Sequence, residues 1–360
     1  MIPIYIPYLE KYKSSAIKAI EDNWISNHGI YVNLAAELLQ KKLNIKYCIL
    51  MNNGTSATHC LFKALKFKYP KLKKIYIPNN VFVAPWNCGL YEYNEDIFEV
   101  MKIDENTCNI VTAEKYFMSL ENNAAVVIVH NLGNIVNVPR LKNIRPDLIF
   151  IEDNCEGIFG KYNDIYSGTS TSTLCSAVSF YGNKTLTTGE GGAFFTNHKD
   201  VYLYIKKLYS HGMTNERYIH DVIGYNYRMT NVQAALLYEQ LMDLDNIINL
   251  KINIFKNYDL LLKDLFNKGI VKKTNTDKNT HISYWMYFIL IPGLKYKQLE
   301  AYLIENNIQI RPLFYDIHQH SHLKNIKKQE VNLFNNEITN MGVMLPSYPG
   351  LEYKQQKYII

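Results

Sequence analysis

The sequence predicts a two-domain α/β protein, and three features carry that expectation. Short apolar runs alternate with helix-like stretches through the first two-thirds of the chain, the pattern of a mostly parallel sheet covered by helices. A long amphipathic stretch from Asn231 then runs without Pro or Gly. A shorter strand-and-helix pattern closes the chain.

Taken in order, strands are expected at Tyr47–Met51, Lys74–Ile77, Ala125–His130, Leu148–Glu152, Ala177–Phe180 and Gly192–Thr196. Helices are expected between them at Thr55–Lys68 and Val201–Ser210. The stretch NVQAALLYEQLMDLDNIINLKINIFKNYDLLLKDLF exceeds an ordinary globular helix and reads as a linking helix into a second domain. A strand at Tyr284–Ile291 and a helix at Lys297–Asn306 then fit a small α+β domain. The expected division is residues 1–245 for the large domain with its N-terminal segment, and 246–360 for the small one.

At 360 residues, 48% hydrophobic and 20% charged, the chain has ordinary globular composition and is long enough for two cores. Its longest apolar runs, such as Ala124–Val129 and Leu148–Ile151, are too short to span a bilayer. The start, MIPIYIPYLEKYK, lacks a basic region followed by an apolar run, so a cytoplasmic protein without a membrane partner is expected. Cys48, Cys60, Cys88, Cys108, Cys155 and Cys175 are scattered without a C-x-x-C pair, which reads as reduced thiols and not as a disulfide framework or zinc site. The net charge of +6 is spread over dispersed lysines. A nucleic-acid binder concentrates its basic residues on one face, so nucleic acid is not expected as a partner. The balance does suit a dianionic ligand.

Three segments carry chemistry. Asn52–His59, NNGTSATH, follows the apolar YCILM, so a strand ends in Gly-Thr-Ser at a helix start. Backbone N–H groups and hydroxyls presented there hold a phosphate, although Thr55 or Ser56 as a plain N-cap reads equally from the residues. Leu148–Gly157, LIFIEDNCEG, puts Asp153 at the carboxyl end of a buried strand, the edge where ligands bind in open α/β sheets. That carboxylate suits a cofactor's pyridinium nitrogen; a helix cap, an ion pair, a metal or a ribose would look the same. Ser179–Asn197, SFYGNKTLTTGEGGAFFTN, holds Lys184 between an apolar strand end and the tight turn Gly189-Glu190-Gly191-Gly192. An ordinary lysine is a solvated surface residue; this one sits in a loop between strands. Neither a P-loop nor the G-x-G-x-x-G fingerprint occurs, which disfavours ATP hydrolysis and a Rossmann-type oxidoreductase.

In this order the segments resemble the nucleotide-sugar aminotransferases of the DegT/DnrJ/EryC1/StrS family. The resemblance spans nearly the whole chain: WIS (Trp24–Ser26), NGTSA, EDNCEG, SFYGNK, TTGEGG, HDVIGYNYRMTNVQAA (His220–Ala235), YWMY (Tyr284–Tyr287) and RPLF (Arg311–Phe314). It implies the aspartate-aminotransferase fold (fold type I) of pyridoxal 5'-phosphate (PLP) enzymes. The large domain then carries a mostly parallel mixed sheet beside the small α+β domain.

The resemblance also assigns roles. Lys184 is the catalytic Schiff-base lysine, Asp153 the pyridinium partner, and Glu156 the residue beside the ring hydroxyl. Phe82, in PNNVFVAPWN, stacks on the ring. Thr55, Ser56 and Ser179 fall at phosphate-binding positions, and Asn226 reaches the phosphate from the neighbouring subunit, which implies a homodimer with shared sites. Trp24, Ser26, Arg311 and His318 fall at substrate positions. Within the family, YNYRMTN and SFYGNK are most similar to perosamine synthetases and the related viosamine-type enzymes. Those move an amino group from L-glutamate to C4 of a nucleotide-linked 4-keto-6-deoxyhexose, giving a 4-amino-4,6-dideoxy sugar for glycan synthesis. The freed lysine then shuttles protons as base and acid.

The chain departs from the family pattern in places. Leu34-Ala35-Ala36 precedes Glu37, one residue is inserted near Asn27-His28, and Gly168–Ala177 is longer than usual. Asp316 replaces a usual Pro, at a place where sugar or nucleotide would be held. His318, His320 and His322 alternate in HQHSH, but no Cys, Asp or Glu partner completes a metal motif, so a solvated loop is expected and no metal. The competing readings are a 3-keto-sugar aminotransferase, a PLP-dependent 3-dehydratase and a non-catalytic nucleotide-sugar binder. A dehydratase typically carries His at the lysine position, and a binder would be expected to lose Lys184 or Asp153.

Overall fold

The computed structural model describes residues 1–277, 279–328 and 333–360. Strands apolar on both faces must be covered on both, and that rule organises the molecule. In chain order the strands are β1 Tyr47–Met51, β2 Ile75–Pro78, β3 Phe98–Met101, β4 Ala125–Val129, β5 Ile149–Asp153, β6 Lys161–Tyr162, β7 Ile165–Tyr166, β8 Ser176–Ser179, β9 Gly192–Thr196, β10 Thr280–His281, β11 Tyr287–Leu290, β12 Arg311–Pro312, β13 Lys327–Lys328 and β14 Gly342–Leu345. The central sheet has eight strands in the order β1-β9-β8-β5-β4-β2-β3-β13. From β13 across to β8 every pairing is parallel, and β9 alone runs antiparallel to both of its neighbours.

Side chains alternate across this sheet. Ile49, Met51, Val127, Ile151 and Phe194 pack on one face with the helices Gly54–Lys68 and Lys199–Leu208. Cys48, Leu50, Val178 and Phe195 meet the helices Ile30–Leu43 and Asn231–Met242 on the other. Tyr76, Val126, Ile128 and Phe150 extend that second face to Leu141 and Phe117.

The predicted strands of the large sheet are present with ends shifted by a residue or so, while the strand expected at Tyr284–Ile291 is shortened to Tyr287–Leu290. β3, which the sequence reading leaves out, is interrupted in its apolar pattern by Glu99, and that buried carboxylate is paired with Lys74 at 3.1 Å. The single long helix expected from Asn231 is corrected to three pieces: Asn231–Met242, Leu244–Leu261 and Lys263–Asn267. The first break falls at Asp243, whose carboxylate accepts from Tyr12 Oη at 2.7 Å and from Asn246 Nδ2. A tertiary contact therefore ends a helix that contains no Pro or Gly. The helix Leu244–Leu261 starts in the core around Ile247 and finishes in a separate core around Ile254, Tyr258, Tyr287 and Val343. There the antiparallel sheet β11-β14-β12 lies against it. Among the described residues no helix is long and apolar enough to cross a membrane.

At one edge, β1, β9 and β8 end side by side, with Gly192 opposite both Met51 and Ser179. A Cβ at Gly192 would stand 2.5 Å from the Asn53 carbonyl oxygen and 2.8 Å from that of Val178. Both neighbours are backbone and have little room to yield. Gly192→Ala is expected to cost about 1–3 kcal/mol of stability, read as a lowered midpoint in denaturant unfolding.

Candidate active site

The carboxyl ends of the parallel strands open into a cavity of about 740 Å³. The loops after β1, β5 and β8 line it from the large sheet, and Trp285, Arg311 and Phe314 line it from the C-terminal part. Such a crevice is where the topology of an open α/β sheet leads a ligand.

One end of the cavity is a helix N-terminus. Asn53 caps the helix Gly54–Lys68, its side chain accepting from Ser56 N at 2.8 Å, while its carbonyl takes Ala57 N. The N–H groups of Gly54 and Thr55, ahead of these, have no intrahelical acceptor, as in the first turn of any helix. Thr55 and Ser179 line the cavity beside them. Gly54 permits the approach, since a Cβ there would stand 2.7 Å from Ser179 Cβ. Positive dipole end, free N–H groups and two hydroxyls suit a phosphate. Ser56 is buried outside the residues that line the cavity.

The floor is acidic. Asp153, at the end of β5, is buried, accepts from Cys155 N at 3.1 Å, and has its pKa raised by burial. Glu152, one residue earlier, faces away and takes His130 Nε2 at 2.7 Å and Gly168 N at 2.8 Å. His130 Nδ1 accepts from Val136 N, so Nε2 carries the proton. Glu156 accepts from Leu132 N at 2.8 Å and stands 4.0 Å from Lys184 Nζ. Burial pushes its carboxyl up to about 7, against the pull of Lys184 and the Leu132 N–H.

Lys184 lies in the β8–β9 connection, which is pinned where Thr187 exchanges two hydrogen bonds with the Gln240 side chain (2.9 and 2.8 Å). Its Nζ stands 4.2 Å from the centroid of the Trp285 ring, a contact that the sequence reading does not anticipate; YWMY is the only local signal of it. Phe82 lines the cavity with an open ring, 55% exposed, and its edge meets Phe314 at 6.1 Å. Arg311 lines it too, with its guanidinium 5.3 Å from the Tyr5 ring centre.

Other expected site residues fall elsewhere. Trp24 and Ser26 lie outside the cavity of a single chain: the Trp24 ring is exposed, and Asn231 holds both backbone carbonyls, through Nδ2 at 2.6 Å and N at 2.9 Å. Asn226 is also outside it, exposed, accepting from Arg228 Nε at 3.1 Å, on a segment tied to Asn52 beside the helix N-terminus. His318 lies outside the residues that line the cavity. The HQHSH segment, expected as a loop, forms two short 3₁₀ turns, in which His318 meets the Ile326 carbonyl (2.9 Å), His322 meets Asn87, and His320 lines the cavity. Asp316 also lies outside the residues that line the cavity. It is 1% exposed, accepts from Asn79 Nδ2 at 3.0 Å and caps His318 N, so it braces the wall from behind.

The model of the DegT/DnrJ/EryC1/StrS aminotransferase family matches residues 8–360. A GDP-perosamine synthase from Escherichia coli O157:H7 is 30% identical over 99% of this chain and 96% of its own length. One from Vibrio cholerae is 29% identical over 100% and 97%. Among solved structures, an E. coli GDP-4-keto-6-deoxy-D-mannose-3-dehydratase with bound hydrated PLP superposes with a TM-score of 0.89 at 20% identity, covering 100% of this chain and 98% of that one. A Helicobacter pylori aminotransferase of pseudoaminic acid biosynthesis superposes at 0.85 with 23% identity, covering 98% and 95%. The fold is fold type I, the aspartate-aminotransferase fold that the motifs imply.

Glu156 yields a pH test. Its folded pKa of about 7 lies above the ordinary glutamate value of roughly 4.3. Between those values the folded chain holds a proton that the unfolded chain has released. That contribution to stability is complete below about pH 4 and is lost as pH rises through 7. Glu156→Gln is expected to leave the melting temperature of the ligand-free protein nearly unchanged at pH 4, and to raise it at pH 8, where the stability gained is on the order of 3 kcal/mol.

Proposed function

The chain belongs to the DegT/DnrJ/EryC1/StrS aminotransferase family, and from that membership and the site's chemistry we propose that it is a PLP-dependent nucleotide-sugar aminotransferase. It moves an amino group from L-glutamate to C4 of a nucleotide-linked 4-keto-6-deoxyhexose, giving a 4-amino-4,6-dideoxy sugar of the perosamine type. The observation that carries this reading is the placement of Lys184 Nζ at one side of a cavity with Asp153 and Glu156 on its floor and a helix N-terminus at its end. The naming of relatives at 29–30% identity as GDP-perosamine synthases supports the sugar and favours GDP as the nucleotide.

The residues fit the cofactor. Asp153 is a buried carboxylate that gains from a cation against it, and a pyridinium N–H is such a cation. Phe82 offers a flat apolar face, and Glu156 lies where a ring hydroxyl can bond. Thr55, Ser179 and the N–H groups of Gly54 and Thr55 would hold the phosphate. When bound, PLP supplies the electron sink that lets the bond from the donor's Cα to its hydrogen break. The Lys184 amine would take that proton and, in the second half-reaction, deliver one to C4 of the sugar. Arg311 is a cation for an anionic group of the donor or the sugar nucleotide. A second copy of the chain supplies Asn226 to the phosphate, which makes the working unit a homodimer with shared sites.

Purified enzyme is expected to show visible cofactor absorbance that disappears on borohydride reduction, with the fixed label on Lys184. Lys184→Ala should lower amino transfer by on the order of 10³-fold or more. Retention of full activity in that variant, or a protein that takes up no PLP, would defeat the reading. Assays of GDP-, UDP- and dTDP-linked 4-keto-6-deoxyhexoses with L-glutamate should give amination with the GDP sugar. Loss of water at C3, with no nitrogen gained, would place the chain with the dehydratases.

A further inference from the structure

Trp285 stands where the expected strand Tyr284–Ile291 fails to begin. β11 starts only at Tyr287, and Tyr284 has a left-handed backbone with φ of +56°. That local turn takes the indole out of the sheet pattern and into the catalytic crevice, where it is 5% exposed. Three contacts fix it. Its Nε1–H donates to the carbonyl of Asn183, the residue before Lys184, at 3.1 Å. Its ring lies 4.2 Å from Lys184 Nζ, measured to the centroid. Its own carbonyl accepts from Lys251 Nζ at 2.6 Å.

Lys251 is itself unusual. It comes from the helix Leu244–Leu261, is 3% exposed, and gives a further hydrogen bond to the Ser347 carbonyl. A buried lysine held by backbone carbonyls costs stability compared with an apolar residue of the same shape. The geometry that it fixes is that of Trp285.

Resting on the aminotransferase reading, we infer that Trp285 is a further active-site residue: its indole face seats the Lys184 ammonium once that lysine has left the cofactor and taken up a proton, and Lys251 is the positioning residue that locks the seat. Amino transfer requires the lysine to leave the cofactor and return to it in every cycle. In between, a long flexible side chain must remain within reach of the reacting atoms, and its rotamer freedom opposes that. An aromatic face attracts the cation electrostatically without accepting one of its protons in a directed hydrogen bond. The amine is therefore held yet free to give its proton to the substrate. Glu156 Oε1, 4.0 Å from the same nitrogen, adds a Coulombic attraction.

The test compares wild type, Trp285→Leu, Trp285→Phe and Lys251→Met as full-chain holoenzymes. Each half-reaction is followed by rapid mixing, and acetic anhydride labelling of Lys184 is mapped by mass spectrometry in enzyme saturated with L-glutamate. Trp285→Leu is expected to slow both half-reactions roughly 2- to 30-fold, the span of a cation–π contact, with the KM for glutamate unchanged and Lys184 labelled faster. Trp285→Phe, which keeps a ring face and loses the N–H, should recover most of the rate, and Lys251→Met should fall between the two. Unchanged rates and labelling in Trp285→Leu would overturn the inference, as would a Phe variant as slow as Leu. If Trp285→Leu does not fold, the other two variants decide: a slow Lys251→Met with a fast Phe variant supports the seat, and the reverse overturns it. Wild-type enzyme with no borohydride-fixed cofactor on Lys184 would instead defeat the aminotransferase reading itself.

Discussion

β9 runs against the direction of its neighbours, and the position of Lys184 follows from that reversal. The connection from β8 to β9 must return at the same edge of the sheet, which is the edge where β1, β4 and β5 also end. The lysine, the Asp153 carboxylate and the Gly54 helix start are brought to one crevice by strand direction alone. The close register of Gly192 against Met51 and Ser179 keeps that edge tight, because only a residue without a side chain fits between the Asn53 and Val178 carbonyls.

Three carboxylates within five positions of chain, Glu152, Asp153 and Glu156, are buried at this edge, and the fold treats each differently. Glu152 is held behind the site through one oxygen, Oε2, which accepts from His130 and the Gly168 N–H. Asp153 faces the cavity with its charge disfavoured by burial. Glu156 lies between the Leu132 N–H and the Lys184 ammonium. Buried charge is costly unless paired, so the first carboxylate is held behind the site while the other two face the cavity.

The C-terminal part contributes more than a lid for the crevice. Trp285 and Arg311 reach into the cavity from it. Asp316 binds Asn79 at the end of β2, and Asn80 Nδ2 donates to the Phe314 carbonyl at 3.1 Å. These buried polar contacts demand particular geometry where apolar packing would tolerate sliding, so they fix how the two halves of the site face each other.

The sequence by itself determined the fold class, most strands and the residues of the crevice that lie in contiguous motifs: Thr55, Phe82, Asp153, Glu156, Ser179 and Lys184. Thr55, Asp153 and Lys184 follow an apolar strand or open a helix, so local pattern is enough to place them near a strand end, whereas Phe82, Glu156 and Ser179 came from the family resemblance. Tertiary structure alone decided the rest. The break at Asp243 is held by Tyr12, a residue distant in sequence, besides the local contact with Asn246. His320, and not His318, lines the cavity, because the loop expected there is wound into two 3₁₀ turns. Asp316 turned inward because Asn79 was there to bind it. The meeting of Trp285 with Lys184 joins residues from different cores, and only the packing of one against the other brings an aromatic face to an ammonium.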